Sequence, residues 1–171
     1  LEELGMDTNL ENLDITLSLG GTDQWFRTLG EYLQQMYKKS LGINIKIEQL
    51  EWPIFDSNVN KGDFQIGYMA WTGDFNDPAT MMTLLASDST AIKTGWANDR
   101  YDELIALADQ ELDHAKRLEY YEEAEKILLD ESPIAPVVYA KSNIFRYKYV
   151  NKVGVTDFGT QGYKYGFTQG R

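Results

Sequence analysis

The residues best suited to chemistry lie in the run Met69-Ala70-Trp71-Thr72-Gly73-Asp74-Phe75-Asn76-Asp77-Pro78. The run begins with apolar residues that end a predicted strand and finishes with residues that typically start a helix. One carboxylate, Asp74, stands between Trp71 and Phe75. If this connection is buried, the carboxylate is partly desolvated and requires a cationic partner. The sequence supplies no evident partner nearby, so a ligand is a candidate for that role.

The common catalytic and metal-binding patterns are missing from the sequence. The chain has no cysteine and one histidine, His114, which excludes thiolate nucleophiles, disulfides and His-x-x-x-His zinc sites. Asp74-x-Asn76 resembles the start of a calcium loop, but Ala79 and Leu85 stand where glycine and glutamate are needed. No glycine-rich phosphate loop occurs. We therefore predict neither a cofactor nor a metal.

The acidic residues leave one enzymatic alternative open. The chain contains 27 Asp and Glu residues, and two of them could form the carboxylate pair of a hydrolase. Glu122, Glu123 and Glu125 form a cluster, but their place on a predicted helix favours a solvated face. Because no catalytic motif is assembled, the sequence favours a protein that is not an enzyme.

Composition narrows the class of partner. The 171 residues carry a net charge of −11, with 13% aromatic and 43% hydrophobic residues. This composition suits one folded domain and argues against a surface for nucleic acid or for anionic lipid. No apolar run reaches the roughly 18 residues that span a membrane. The chain begins at Leu1 without an initiating methionine, so we expect a piece of a longer protein.

Apolar spacing predicts an α/β fold with a mixed sheet flanked by helices. Strands are predicted over 13–19, 43–47, 64–71, 137–139 and 145–149. Helices are predicted from a cap at Thr22 or Asp23 to Gly42, from Pro53 to Gly62, from Asp77-Pro78 onwards, around 101–108, and after Asp113. Residues 151–162 read as a loop, and 163–167 as an extended tail. The first strand, helix and strand imply parallel pairing, and the 64–71 strand is predicted to be buried on both faces.

Two tryptophans fall where an α/β sheet binds ligands. Trp71 lies on the predicted third strand, and Trp52 lies just beyond the second. Ligands of open α/β sheets bind at the carboxyl ends of parallel strands. Ordinary core packing is the alternative for both residues, but their placement favours a site.

Several segments, in this order, resemble the C-terminal lobe of an extracytoplasmic oligopeptide-binding protein of solute-binding protein family 5, the receptor of an ABC peptide importer. The segments are 42–52 (GINIKIEQLEW), 70–78 (AWTGDFNDP), 101–105 (YDELI), 124–128 (AEKIL) and 132–137 (SPIAPV). The resemblance implies a lobe of the type II periplasmic-binding-protein-like fold. Residues 1–141 would form the ligand-binding lobe, and 142–171 would cross back to an N-terminal lobe that this chain lacks.

By the same resemblance, Asp74 pairs with the α-ammonium of a bound peptide. The backbone of Ala70, Trp71 and Thr72 would bond the extended peptide as an added strand, and Trp52 and Trp71 would line side-chain pockets. The predicted peptide-binding set is completed by Tyr68, Asn76 and Ala140.

The sequence departs from the pattern of some relatives at a few positions. Val59, Asn60 and Tyr68 stand where those relatives carry basic residues that help to hold acidic groups of the ligand. Recognition of the peptide's C-terminus is therefore open. Ala140 replaces a tyrosine found in some relatives, which would widen a pocket.

The resemblance also implies partners and a location. The full protein would deliver oligopeptides to the membrane permease of an ABC importer, outside the cytoplasm, anchored by lipid at the cell surface or free in the periplasm. Dipeptides, nickel, oligosaccharides and signalling peptides remain alternative ligands. A structural interaction domain is a further alternative, because Tyr163, Tyr165 and Phe167 form an uncovered apolar row. Residues 142–171 could then join copies of the chain. We do not expect this lobe alone to bind peptide tightly.

Overall fold

The structure is a computed structural model that describes residues 13–141, 143–155 and 161–170. The strands are β1 (Ile15–Leu19), β2 (Ile45–Gln49), β3 (Ile66–Tyr68), β4 (Val150–Asn151), β5 (Gly154–Val155), β6 (Gln161–Gly162) and β7 (Phe167–Thr168). The helices are α1 (Gln24–Leu41), α2 (Trp52–Lys61), α3 (Ala79–Met82), α4 (Asp99–Gln110) and α5 (His114–Glu131). No helix of the described part is both long and apolar enough to cross a membrane.

A parallel three-stranded sheet with the order β2-β1-β3 organises the first half of the chain. Leu17 of the central strand is in register with Ile47 on one side and Ile66 on the other. The predicted α/β class is confirmed, and so is the parallel pairing of the first two strands. The described antiparallel pairs, β4 with β7 and β5 with β6, lie in separate small sheets, so the antiparallel strands do not join the parallel sheet as a mixed sheet would require.

The third strand is shorter and less buried than predicted. It spans only Ile66–Tyr68, and all three residues are half-buried. The prediction of a strand from 64 to 71, buried on both faces, was wrong. β3 pairs with β1 through Leu17, Ser18 and Leu19, and β1 ends there. The apolar residues after Tyr68 therefore have no partner strand, and apolar composition cannot replace missing ladder hydrogen bonds.

Helix α1 covers one face of the sheet. The Asp23 carboxylate accepts hydrogen bonds from the amides of Trp25 and Phe26, and Gly42 ends the helix with a φ of 73°. Both ends are as predicted. Buried Gly30 faces Leu19, and a Cβ built on it would lie 2.8 Å from Leu19 Cδ1. Glycine at this position therefore allows the helix to approach the sheet closely.

Helix α2 begins with Trp52-Pro53 and ends before Gly62, which has a φ of 74°. This also confirms the prediction. Its buried residues are Phe55 and Val59. The Phe55 ring lies under the end of β1, since a Cβ on Gly20 would approach Phe55 Cδ1 to 2.6 Å.

Helices α3, α4 and α5 form a second hydrophobic core. It contains Tyr101, Leu104, Ala108, Tyr121 and Ala124, among other residues. Asp113 caps α5 as predicted, by accepting from the amides of Ala115 and Lys116. The helix predicted after Asp77-Pro78 is short: α3 has four residues and continues as a 3₁₀ turn over Thr83–Leu85.

The segment from 137 to the end of the chain differs most from the predictions. Val137–Tyr139 and Phe145–Tyr149 do not form strands, and Tyr139 and Phe145 are almost fully exposed. Alternation was misleading here because the described chain offers these segments no strand to pair with. The predicted loop over 151–162 contains strand residues of β4, β5 and β6, and its residues 156–160 lie outside the described ranges. The tail is extended only in part, since Tyr165 lies in a turn. Ser142, the predicted boundary, also lies outside the described residues.

Candidate functional site

The carboxyl ends of β1, β2 and β3 lie at the same end of the sheet because the strands are parallel. We call this end of the strands the carboxyl edge, or sheet edge. Trp52, the first residue of α2, lies over the end of β1: a Cβ on Gly20 would be 3.0 Å from Trp52 Cε3. The indole packs against Phe55 at 5.8 Å between ring centroids, yet Trp52 remains 52% exposed. Phe55 therefore supports one side of the indole, and the rest of Trp52 is accessible to a ligand.

A second aromatic pair lies at the end of β3. The rings of Tyr68 and Trp25 are 6.2 Å apart between centroids, and Trp25 is 58% exposed. Tyr68 belongs to the predicted set, whereas sequence reasoning placed Trp25 only on a helix. The available signal was that Trp25 lies in the first turn of the helix that follows the Gly20-Gly21 break, because this break leaves the carboxyl end of β1.

The loop from Met69 to Pro78, here called the anchor loop, connects β3 to α3. Ala70, Trp71 and Thr72 are exposed and belong to no strand, so the prediction that Trp71 lies on the strand was wrong. Trp71 follows Tyr68 by three residues and stays within about 11 Å of the sheet edge. No strand of the described chain therefore pairs with the backbone of these three residues.

Asp74 lies in the anchor loop with an exposed side chain. Its amide donates a hydrogen bond to Thr80 Oγ1 at 2.8 Å. Phe75 beside it is 52% exposed. The carboxylate is thus accessible to solvent, and the condition for its desolvation, a buried loop, is not met. Within the described residues Asp74 takes part in no ion pair, so the carboxylate is available to an external cation.

The remaining predicted residues are both exposed. Asn76 lies in the anchor loop, two residues after Asp74. Ala140 lies in the exposed segment from Ala135 to Lys141. Trp52 and Tyr68 therefore lie at the carboxyl ends of the strands, and the anchor loop leaves the sheet directly after Tyr68.

The sequence analysis missed the one carboxylate of the loop that does have a cationic partner. Asp77 forms a two-pronged ion pair with Arg117 of α5: Arg117 Nη2 donates to Oδ1 at 2.9 Å, and Arg117 Nη1 donates to Oδ2. The two side chains are only 24% and 19% exposed. The hydrogen bonds from Arg117 hold the pKa of Asp77 below its usual value, and Asp77 in turn raises the pKa of Arg117.

This pair predicts a specific pH dependence of stability. The Asp77 pKa is lowered in the folded chain, while the unfolded value is about 3.9. Below pH 4 the unfolded state therefore takes up a proton first, and the stabilisation by Asp77 is lost as the pH falls through the folded pKa. We expect Asp77→Asn to lower the free energy of unfolding by about 1 kcal/mol at pH 6, a modest value because the pair is partly exposed.

Urea unfolding of the wild type and of Asp77→Asn at several pH values between 3 and 6 measures this effect. The difference in the free energy of unfolding between the two proteins should become smaller as the pH falls below 4. In an Arg117→Gln background, Asp77→Asn should change the free energy of unfolding only slightly at every pH. A difference that stays constant with pH in the wild-type background would contradict this account.

The described residues were also compared with the pattern of a metal site. No group of three or more metal-ligating side chains occurs there. His114, Glu122, Glu123 and Glu125 are all exposed on α5. The acidic cluster is therefore a solvated helix face, as the sequence indicated.

Comparison with known proteins reveals relatives over most of the chain. The sequence model of the bacterial extracellular solute-binding proteins, family 5 Middle, matches residues 1–93. The oligopeptide-binding protein OppA of Bacillus subtilis is 34% identical over 140 residues, which are 81% of this chain and 26% of that protein. The chain thus spans about a quarter of the length of the curated relatives it matches.

Solved structures agree with these sequence matches. The structure of the murein tripeptide binding protein MppA of Escherichia coli has a TM-score of 0.66 at 32% identity, over 71% of this chain and 24% of that one. OppA of Listeria monocytogenes bound to peptide has a TM-score of 0.79 at 23% identity, over 100% of this chain and 32% of that one. The second match shows the fold alone.

Proposed function

The chain belongs to the bacterial extracellular solute-binding proteins of family 5, and on that premise we propose that it is the peptide-binding lobe of an oligopeptide receptor. The exposed carboxylate of Asp74 is the observation that carries the proposal. It lies in the loop that leaves the carboxyl end of β3, without an ion-pair partner among the described residues, while the nearby Asp77 is paired with Arg117. The α-ammonium group of a peptide would pair with the Asp74 carboxylate through a charge-assisted hydrogen bond.

The backbone before Asp74 supports the same proposal. Ala70, Trp71 and Thr72 follow edge strand β3 and carry exposed backbone that no strand of the described chain pairs. An extended peptide lying along this segment would gain main-chain hydrogen bonds that do not depend on its side chains. Trp52 and Trp71, 52% and 42% exposed, would cover the peptide's side chains.

Recognition of the peptide's C-terminal carboxylate is a separate question. Val59 is a buried residue of α2 with 2% exposure, so its side chain cannot contact a peptide. The Asn60 amide donates to Asp56 Oδ2 at 3.3 Å, and Tyr68 packs against Trp25. None of the three supplies a positive charge for the peptide's C-terminal carboxylate. We infer that this carboxylate is held by another part of the full-length protein or left in solvent.

The rest of the receptor lies outside this chain. In the proposed protein, a second lobe closes over the peptide, and the complex delivers it to the permease of an ABC importer at the extracytoplasmic face of the membrane, with a lipid anchor holding the receptor there. Residues 142–171 return to the absent lobe, which covers Tyr163 and Tyr165, now 65% and 70% exposed. Left uncovered, this surface would also join copies of the isolated chain. Binding, with no catalysis, is the activity of the assembly.

Calorimetry of the full-length protein tests the proposal. The panel contains free-amine peptides of two to six residues, a signalling-type hydrophobic peptide, an oligosaccharide and Ni²⁺. We expect micromolar or tighter binding of peptides longer than two residues, worth about 8 kcal/mol, and none of the sugar or the metal. The 171-residue chain alone should bind the same peptides more weakly than micromolar, because half of the clamp is missing. Tight binding of the sugar or of Ni²⁺ instead would refute the proposal.

A further inference from the structure

The anchor loop is tied to the helical core by a continuous chain of polar contacts that ends at Asp74. The chain of contacts runs from Arg117 on α5, through Asp77 and Thr80, to the Asp74 amide. We propose that Arg117 is a positioning residue for Asp74, although the two side chains do not touch. This inference rests on the proposed function, since it assigns Arg117 a part in holding the ammonium anchor.

The first link fixes the guanidinium itself. Arg117 Nε donates to the carbonyl oxygen of Ala108 at 2.9 Å, and Nη2 donates to the Tyr121 hydroxyl at 2.9 Å. Ala108 lies in the last turn of α4, whose carbonyl groups have no partners within the helix. The guanidinium also lies 4.9 Å from the Tyr121 ring centroid. Contacts on α4 and α5 thus fix its plane, which suits the planar geometry of arginine.

The second link transfers this position to the start of α3. Asp77 Oδ1 accepts from Arg117 Nη2 and also from the amide of Ala79, both at 2.9 Å. The amide of Thr80 donates to the backbone oxygen of Asp77 at 3.2 Å. The carboxylate of Asp77 therefore joins α5 to the first turn of α3 and sets where that turn lies.

The third link reaches the anchor. Thr80 Oγ1, from the first turn of α3, accepts the hydrogen bond of the Asp74 amide at 2.8 Å. In the described part of the chain Thr80 is the hydrogen-bond partner of Asp74. The exposed loop beyond it has no strand pairing to hold its shape. Removing Arg117 or the Thr80 hydroxyl should therefore leave Asp74 distributed over several positions, which lowers the fraction of receptor ready for the ammonium group.

A merely structural role for Arg117 makes a different prediction. Loss of stability would weaken the binding of every peptide alike, or would only lower the unfolding temperature. Loss of positioning should selectively weaken peptides with a free amino group. The discriminating quantity is the ratio of two dissociation constants, that of an N-acetylated peptide over that of the same peptide with a free amine, which we call the amine ratio.

The experiment measures the amine ratio by calorimetry on the full-length protein. Arg117→Gln and Thr80→Val are expected to lower the ratio at least five-fold, while Thr80→Ser, which keeps the hydroxyl, preserves it. Arg100→Gln is the matched arginine control, because Arg100 also joins α4 to α5, through Glu123, but lies away from the loop. It should leave the ratio unchanged. Thr80→Val decides the question if Arg117→Gln does not fold.

Asp74→Asn separates failure of this inference from failure of the proposed function. If Asp74→Asn collapses the amine ratio while Arg117→Gln and Thr80→Val leave it intact, Asp74 is the anchor and the positioning role is wrong. If only Arg117→Gln lowers the ratio, the route through Thr80 is wrong. If Asp74→Asn itself leaves the ratio unchanged, the anchor is wrong, and the inference falls with it.

Discussion

Replacing Asp74 by asparagine in the full-length protein should weaken the binding of free-amine peptides by about 30-fold or more. Removing one partner of a desolvated, hydrogen-bonded charge pair costs at least about 2 kcal/mol, which corresponds to that factor. The carboxylate is exposed in this chain, so we expect lobe closure to supply the desolvation that makes the pair strong. Asparagine keeps the size of the side chain and one acceptor oxygen, so the loss isolates the charge.

The ligand provides the sharpest control for this prediction. An N-acetylated peptide of the same sequence carries no ammonium group, and Asp74→Asn should change its affinity by less than about 3-fold. Asp63→Asn is the matched protein control, because Asp63 is an exposed carboxylate at the opposite, amino-terminal end of β3. It should bind both peptides as the wild type does. An equal loss of affinity for the free and the acetylated peptide would refute the anchor role.

The helix ends were predictable because their determinants are local. Asp23 and Asp113 each satisfy the amides of the two residues after the first helical position, and Gly42 and Gly62 adopt a left-handed φ that other residues avoid. Each of these signals lies within four residues of the helix end that it sets. One sequence is sufficient to show them.

Strand predictions failed where they needed a distant partner. The segment 145–149 alternates like a strand, and 137–139 consists of residues that favour strands, but the described chain offers neither a neighbour for pairing. The 64–71 strand was shortened to Ile66–Tyr68 for the same reason, since β1 ends opposite Tyr68. Alternation indicates which side chains prefer burial, whereas a strand exists only where a second strand accepts its hydrogen bonds.

The candidate site shows the same division between local and distant information. Trp71, Thr72 and Asp74 could be proposed from the sequence because they lie within four residues of one another in a recognisable segment. The ion pair between Asp77 and Arg117 was missed because the two residues are 40 positions apart, and nothing in either local sequence points to the other. Sequence reasoning therefore proposed the carboxylate of the anchor and missed the residue that we infer to position it.

Tyr101→Ala should cause the largest loss of stability of any single substitution considered for this chain, about 3–5 kcal/mol. Tyr101 is fully buried and is the largest such side chain of the described residues. Its ring packs edge-on against Trp96 at 5.0 Å between centroids. Its hydroxyl donates to the carbonyl oxygen of Met82 at 2.6 Å, and burial raises the pKa of the phenol well above its usual range, so the donor keeps its proton. Urea unfolding of the chain, followed by circular dichroism, measures the loss.

Two further variants separate the packing of Tyr101 from its hydrogen bond. Tyr101→Phe keeps the ring but removes the part-buried hydrogen bond to Met82, and should cost about 0.5–1.5 kcal/mol, the usual net contribution of one hydrogen bond. Tyr32→Ala makes the same truncation on α1 at a residue that is 58% exposed, and should stay within about 0.5 kcal/mol of the wild type. A cost for Tyr101→Ala no larger than that of Tyr32→Ala would contradict this account. Because Met82 ends α3 and Asp77 precedes its start, the Tyr101 hydroxyl and Arg117 hold the two ends of one short helix, and Thr80 of that helix holds the amide of Asp74.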